Sequence, residues 1–343
     1  MLRIPVLILG GLFLAVAAFS QDDRNAVTFE ELYDEPYAVN KLFIAFQPIY
    51  AEMLATNPNA GFGVHGSYYL KDKADFHAQL RMPYSASFFD FNRDLAAKNS
   101  DVTITPQVFT YIELGGTYHV KDAESSGHTK MTLYRNSYKG DKWASRVALQ
   151  TEVPAKLRTI YGVRAGMISW RSTVHVNSVL EKQGLTSADL MNESDEGLPA
   201  TILNPETNLQ EEFNIFTNMY STAVYVGGSM GRFRNIAVSF DNYEPAVDDN
   251  LVTYYLDILI APSIRVNPVT YNDLEYSTNA IKKSPVGMRA GVDGKFNRTL
   301  SWAYGGELGL RPGLSGRGFY VMFRLSFPVF GTNLENKVES FGK

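Results

Sequence analysis

Nine ionisable side chains sit at alternate positions of strand-like segments: Glu113, Arg146, Glu152, Arg158, Arg164, Asp257, Arg289, Glu307 and Arg324. Both signs are present in similar number. Turned into an enclosed space, such groups do one of two things. In a water-filled channel they tune ion selectivity. In a narrow or filled interior they neutralise one another, because an unpaired buried charge is costly. The mixture of signs favours pairing and argues against a strongly selective channel. Glu152 with Arg158, and Arg289 with Glu307, are the candidate couples across strand reversals. Catalytic chemistry has less behind it. The five histidines, His65, His77, His119, His128 and His175, lack the close pair spacing of a metal site. There is no phosphate-cradling Gly-rich loop and no His-Glu-x-x-His. His119 close to Asp122 is the one acid–base candidate, and a surface histidine beside a loop acid is the commoner arrangement. The expectation is no catalytic residue, no cofactor and no metal.

The elements that must hold these charges are strands. Phe319, Val321, Phe323, Leu325 and Phe327 alternate with Tyr320, Met322, Arg324 and Ser326. Successive side chains of a strand point to opposite faces, so this segment has one apolar face and one mixed face. Val108, Thr110, Ile112, Leu114, Gly116, Tyr118 and Val120 alternate with Tyr111, Glu113, Thr117 and His119. The pattern recurs at 143–153, 157–167, 220–227 and 252–260, and at 288–292 and 300–308. Weaker strands fall at about 41–50, 61–70, 75–87, 129–138 and 266–272. Pro154-Ala155-Lys156 and Asp293-Gly294-Lys295 read as tight reversals, the second because Asp-Gly supplies positive φ. The count is about fourteen, within 12–16. Helical periodicity is scarce, apart from a short stretch at Val176 to Lys182.

Alternation alone does not say what the apolar face meets. In a soluble antiparallel sheet it is the core; in a membrane barrel it is lipid, with the polar face lining the lumen. Four features favour lipid over a soluble periplasmic β protein: the export signal, the aromatic content, the uniform direction of the pattern and the final strand ending in Phe327. Residues 1–20 read as an export signal, with Arg3, an apolar run from Ile4 to Phe19, and small residues before Gln21. No later segment is apolar enough for a membrane helix. Aromatic content is high, with 21 Phe and 20 Tyr, and barrels place such residues at both membrane interfaces. The chain has no cysteine, which excludes disulfides and thiol chemistry, and its net charge of −4 gives no argument for nucleic acid.

The reading is therefore all-β: a transmembrane antiparallel up-and-down barrel over residues 40–327, with short periplasmic turns. Residues 21–39 form an acidic arm or plug, and residues 328–343 a periplasmic tail. A long loop at about 172–213 is where a partner or ligand contact is expected, since loops carry recognition. Phe319, Val321, Phe323, Leu325 and Phe327 make the lipid face of the closing strand.

In its signal, its alternating strands and its aromatic-ended last strand, the mature chain resembles Gram-negative outer-membrane β-barrel proteins. That usual pattern ends the chain on the aromatic residue, whereas here Pro328 to Lys343 follow Phe327. The partial stretch Asn57-Pro58-Asn59-Ala60-Gly61 also resembles the Asn-Pro-Ala-Tyr-Ala-Gly segment of PorP/SprF-like accessory barrels of type IX secretion. The resemblance implies the cell outer membrane, contact with its lipid and lipopolysaccharide, and protein partners in an outer-membrane complex. The leading expectation is a non-enzymatic accessory or scaffold subunit for protein secretion, barrel assembly or surface-organelle anchoring. A passive pore or transporter for small or hydrophobic solutes is the alternative, and an outer-membrane hydrolase a remote third.

Overall fold

The structure, a computed structural model, describes residues 29–70, 73–87, 89–136, 146–203, 209–240, 243–297 and 302–331. The expected signal at 1–20, the first part of the arm and the tail beyond Gly331 lie outside the described residues. Ten strands form a closed barrel: β1 (Leu42–Leu54), β2 (Asn59–Leu70), β3 (Ala74–Pro83), β4 (Thr110–Asn136), β5 (Arg146–His175), β6 (Phe216–Phe233), β7 (Asn250–Val266), β8 (Val286–Phe296), β9 (Ala303–Leu310) and β10 (Phe319–Gly331). Each is antiparallel to the next, and β10 pairs back onto β1 with Tyr320 opposite Leu54. Closure of this up-and-down meander leaves the wall without a free edge.

Ten strands, not fourteen, close the barrel, and the difference has a physical cause. Segments that read as separate strands are continuous. The described parts of the stretches at 108–120 and 129–138 fall on one strand, β4, and those of the stretches at 143–153 and 157–167 on another, β5. Pro154 sits inside β5 opposite His128 and does not turn the chain. It is tolerated because β5 gains its second neighbour, β6, only from Arg158 onward, so the missing N–H faces no partner strand. Asp293-Gly294-Lys295 likewise lies within β8, paired to Gly305, Tyr304 and Ala303 of β9. A Cβ at Gly294 would overlap the Tyr304 ring, so this glycine serves a close approach and not a reversal. β10 runs on through Pro328 to Gly331 instead of ending at Phe327.

β4 and β5 outrun the wall. From Lys121 to Asn136, β4 pairs only with β5, making a two-stranded ribbon about 50 Å long at ~3.3 Å per residue. A three-stranded sheet of Phe29–Asp34, Ile236–Phe240 and Ala246–Asp248 packs on this ribbon. Met131, Leu133, Val153 and Ala155 meet Ile236, Val238 and Phe240 in a separate small core. Asp34 accepts a hydrogen bond from the Lys156 N–H across this junction (2.7 Å). Burial pushes the Asp34 carboxyl up, and that hydrogen bond partly offsets the effect.

The two ends of the barrel differ. At the terminal end, where β1 begins and β10 finishes, residues 35–40 cross the mouth as a strap. Asn235 donates to the carbonyls of Glu35 and Ala38, and Asn297 donates to Ala38 and accepts from the Asn40 N–H. At the loop end, the described parts of the connections 84–109, 176–215 and 267–285 fold over the opening. α1 (Phe91–Asn99) and α2 (Asn177–Gln183) lie within them. Val176, Val179, Leu180, Leu190, Phe213 and Ile281 join the inward residues Ile168, Trp170 and Met219 in the main apolar core. The described part of the long loop read at 172–213 is thus packed down as a lid, and its first residues, 172–175, belong to β5.

Candidate functional site

Inside the wall, arginine and carboxylate alternate with tyrosine in three tiers. The strand period puts these groups there, since alternate residues of each wall strand turn inward, with the phase shifting at the bulges in β1 and β7. In the tier nearest the loop end, Glu52 on β1 receives two arginines. Arg311, just after β9, donates to both carboxylate oxygens (2.7 and 3.0 Å), and Arg81 on β3 donates to one (3.1 Å). The Tyr111 ring lies between the two guanidiniums, 3.9 Å from Arg81 and 5.0 Å from Arg311, while Tyr320 covers Arg311 at 4.2 Å. Stacked this way, each cation gains the negative face of a ring as well as a carboxylate.

The middle tier centres on Arg289 of β8. Its Nε donates to Asp257 (2.9 Å), its two terminal nitrogens grip both oxygens of Glu113 (3.0 and 2.6 Å), and one also reaches the Tyr111 hydroxyl (3.2 Å). Asp257 is directly opposite Arg289 in the β7–β8 register, and its other oxygen lies 3.2 Å from Arg164. Glu307 accepts from the hydroxyls of Tyr255 (3.0 Å) and Tyr320 (3.1 Å) and lies 3.8 Å from Arg289. His77 approaches Glu113 (3.2 Å) and the Tyr225 hydroxyl (3.0 Å).

Nearer the terminal end, Arg324 pairs with Asp293 and donates to Gln79 (2.6 Å). Lys295 donates to Ser67 (2.7 Å) and faces the rings of Phe43 and Tyr69. A polar cavity of about 70 Å³, lined by His65, Asp75, Lys295 and Arg324 among others, is left at this level. That is room for a handful of waters and not for a passage. Glu52, Arg81, Asp257, Arg289 and Arg311 are each 2 % exposed or less. Two tiers of salt-bridged, ring-stacked side chains therefore fill the cross-section; Glu52, Glu113 and Glu307 each accept two or more charged or hydroxyl donors, while Asp257 accepts from Arg289 and keeps Arg164 as an ion-pair neighbour.

Of the nine charges that alternation picks out, Glu113, Arg158, Arg164, Asp257, Arg289, Glu307 and Arg324 are buried. The Arg146 side chain lies outside the described residues. Glu152 is a correction: it is exposed on the ribbon and its cationic neighbour is Lys130, at 3.8 Å. The alternation changes phase between Ala155 and Arg158. Within the wall the even-numbered residues of β5 turn inward, while on the ribbon the three-stranded sheet covers the odd-numbered ones. Arg158, expected to face Glu152, instead holds Asp122 through Nε and Nη2 at the barrel rim (2.9 and 2.5 Å). Arg289 with Glu307 do meet, but only as the outer contact of a larger cluster.

His119 engages Asp75 (3.0 Å), while Asp122 holds Arg158. Gly227-Gly228-Ser229-Met230-Gly231 has the Gly-x-Ser-x-Gly spacing of a nucleophile elbow, yet it lies in the middle of β6, with no strand-to-helix turn to present the hydroxyl. Among the described residues, no cluster of three or more His, Asp or Glu could hold a metal ion. Sequence reasoning missed Glu52, Arg81, Arg311 and Asp293, and the tyrosines that stack on the arginines. Glu52 falls beyond the strand read at 41–50, Arg311 lies outside any strand, and Asp293 read as a turn. Asn57, from the stretch Asn57 to Gly61, is fully buried and donates to Asp90 and Ser172 (both 2.7 Å), tying the β1–β2 turn to α1 and β5.

The outer surface is the reverse of the interior. Every wall strand exposes large apolar side chains there, among them Ile49, Val64, Phe76, Leu114, Val163, Val226, Ile258, Met288, Leu308 and Phe323. Phe323, at 57 % exposure, neighbours Arg324 at 6 %. Phe319, Val321 and Phe327 are exposed in the same way, and Leu325 is half-buried. Tyr68, Phe76, Tyr118, Tyr161, Tyr254 and Trp302 ring the terminal end of this surface. Among the described residues, no helix is long and apolar enough to cross a membrane. No protein-family profile matches the chain, and no curated protein sequence matches it.

Proposed function

We propose that the chain is an integral outer-membrane β-barrel with a sealed lumen, acting as a scaffold or accessory subunit of a larger outer-membrane assembly. One observation carries this reading: an exterior that is apolar on all ten strands encloses an interior filled by paired charges. An exposed apolar surface spanning all ten strands far exceeds the patches a monomeric soluble protein leaves in water. The β10 stretch Phe319 to Phe327, at about 3.3 Å per residue and ~40° tilt, covers roughly the 25 Å of a barrel's apolar band. On this reading the loop end, with its long lid connections, faces the outside of the cell and the terminal end faces the periplasm, where the ribbon departs from the usual short turns.

A pore needs a lumen wide enough for hydrated solute, and the two ionic tiers, the lid and the strap all oppose one. A scaffold needs a rigid wall and a surface for partners. The periplasmic ribbon, where β4 beyond Lys121 pairs with no strand but β5 among the described residues, is such a surface. Gentle detergent extraction of the tagged protein, native sizing and mass spectrometry test the reading. Stoichiometric co-purifying proteins are the expected result. A lone barrel, or a protein released from membranes by salt or alkali without detergent, contradicts it.

A further inference from the structure

The apolar exterior has one built interruption, on β5, β6 and β7 near the loop end. Arg171, Tyr220 and Arg265 are direct neighbours across these three strands, and all point outward. Arg265 stacks on Tyr220 at 4.6 Å, and Arg171 donates to Thr110 on β4 (3.3 Å). Among the described residues, neither guanidinium has a carboxylate within ion-pairing distance. One row toward the barrel's middle come Ser169, Thr222 and Ser263, again in register, with the first two hydroxyls 3.2 Å apart. The next row is Met167, Val224 and Ile260, followed by Ala165, Val226 and Ile258, then Val163, Gly228 and Leu256. At Gly228 a Cβ would meet nothing nearer than 3.9 Å, which leaves a shallow trough between Val163 and Leu256. Elsewhere the last outward residues at this end, Val286, Leu310, Phe319 and Met53, are apolar.

Cations, then hydroxyls, then hydrocarbon, in that order along the wall, is the polarity sequence of a phosphorylated lipid read from headgroup to acyl chain. The geometry points to a lipid-binding site on this face. The two arginines, two strand spacings or roughly 10 Å apart at Cα, would clasp a phosphate. Each offers a planar fork of donors matched to phosphate oxygens. The hydroxyl row would meet the linkage region, and the rows below would seat a chain. This rests on the membrane reading and on the orientation given above, which places the site in the outer leaflet. The occupant is therefore the phosphorylated glycolipid of that leaflet, held through a lipid A phosphate.

Native mass spectrometry of the full detergent-solubilised chain tests this, with bisphosphorylated lipid A, dephosphorylated lipid A, phosphatidylglycerol and inorganic phosphate as separate probes. The expected result is one bisphosphorylated lipid A retained per wild-type chain. An R171Q/R265Q double variant should weaken binding by about tenfold or more, as lost charge-assisted hydrogen bonds imply. R232Q, which alters an exposed arginine at the other end of the wall, should bind as wild type. Undiminished binding by the folded double variant, equal loss in R232Q, or preference for phosphatidylglycerol or free phosphate would each overturn the site. Vesicle flotation of the same proteins separates the two readings. If wild type floats and the double variant binds as well as wild type, only the lipid site is lost. If wild type does not float, the membrane reading fails and the lipid site falls with it.

Discussion

Wall and ribbon are made from the same two strands, yet they bury opposite faces. In the wall part of β5, Arg158, Arg164, Ile168 and Trp170 are covered; on the ribbon, Val153 and Ala155 are. Strand chemistry supplies two faces in both regions. What decides which face is buried is the surface laid against it: the barrel interior in one case, the small sheet of Phe29–Asp34 and Ile236–Phe240 in the other. The contents differ as well. The wall interior is held by ion pairs and ring stacking, the ribbon core chiefly by apolar contact, Phe240 included.

Substitutions can break this contrast, and the largest effect belongs to the wall interior. Arg289→Ala leaves Glu113 and Glu307 buried without their shared cation, and should destabilise the barrel by about 3–5 kcal/mol. Urea unfolding in detergent, followed by the heat-dependent gel mobility of barrels, would measure it. On the outer face of the same wall, Val321→Arg should cost about 2–4 kcal/mol in lipid vesicles. It should cost far less in a detergent that accommodates the charge, and equal loss in both media would argue against a lipid-facing exterior. On the ribbon, Leu133→Ala should cost about 2 kcal/mol, the low end for a buried leucine because the small core can collapse around it. Hydrogen exchange should show that loss confined to the ribbon and its sheet, with the wall unchanged. The smallest effect is Glu152→Ala, less than about 0.5 kcal/mol, because its pairing with Lys130 is long and solvent-exposed.

The same contrast explains what was legible in the sequence. An unbroken alternation such as Phe319 to Phe327 is a local signal, and it survives into the structure as β10. The strand count depended on turns, and there local signals misled. Pro154 reads as a break because a proline cannot sit in a central strand, but the ribbon gives β5 an edge where it fits. Asp293-Gly294 reads as a hairpin, but the glycine answers the Tyr304 ring on the neighbouring strand. Alternation also assigns Asp257 and Arg289 to inward faces without saying that they lie opposite one another. That partnership comes from the β7–β8 register, which the sequence does not state. Arg311 escaped notice because it enters the barrel from a connection. Glu152 was misplaced because its strand had left the wall.

The central claim is that this barrel is closed, and planar-bilayer recording of the purified full chain tests it most directly. With heat-dependent gel mobility confirming the fold before insertion, the account predicts no discrete conductance steps in concentrated potassium chloride. It predicts that Arg289→Ala introduces them, or raises the frequency of brief openings. Stable, uniform steps from the wild-type protein would contradict the sealed lumen and turn the reading to a pore.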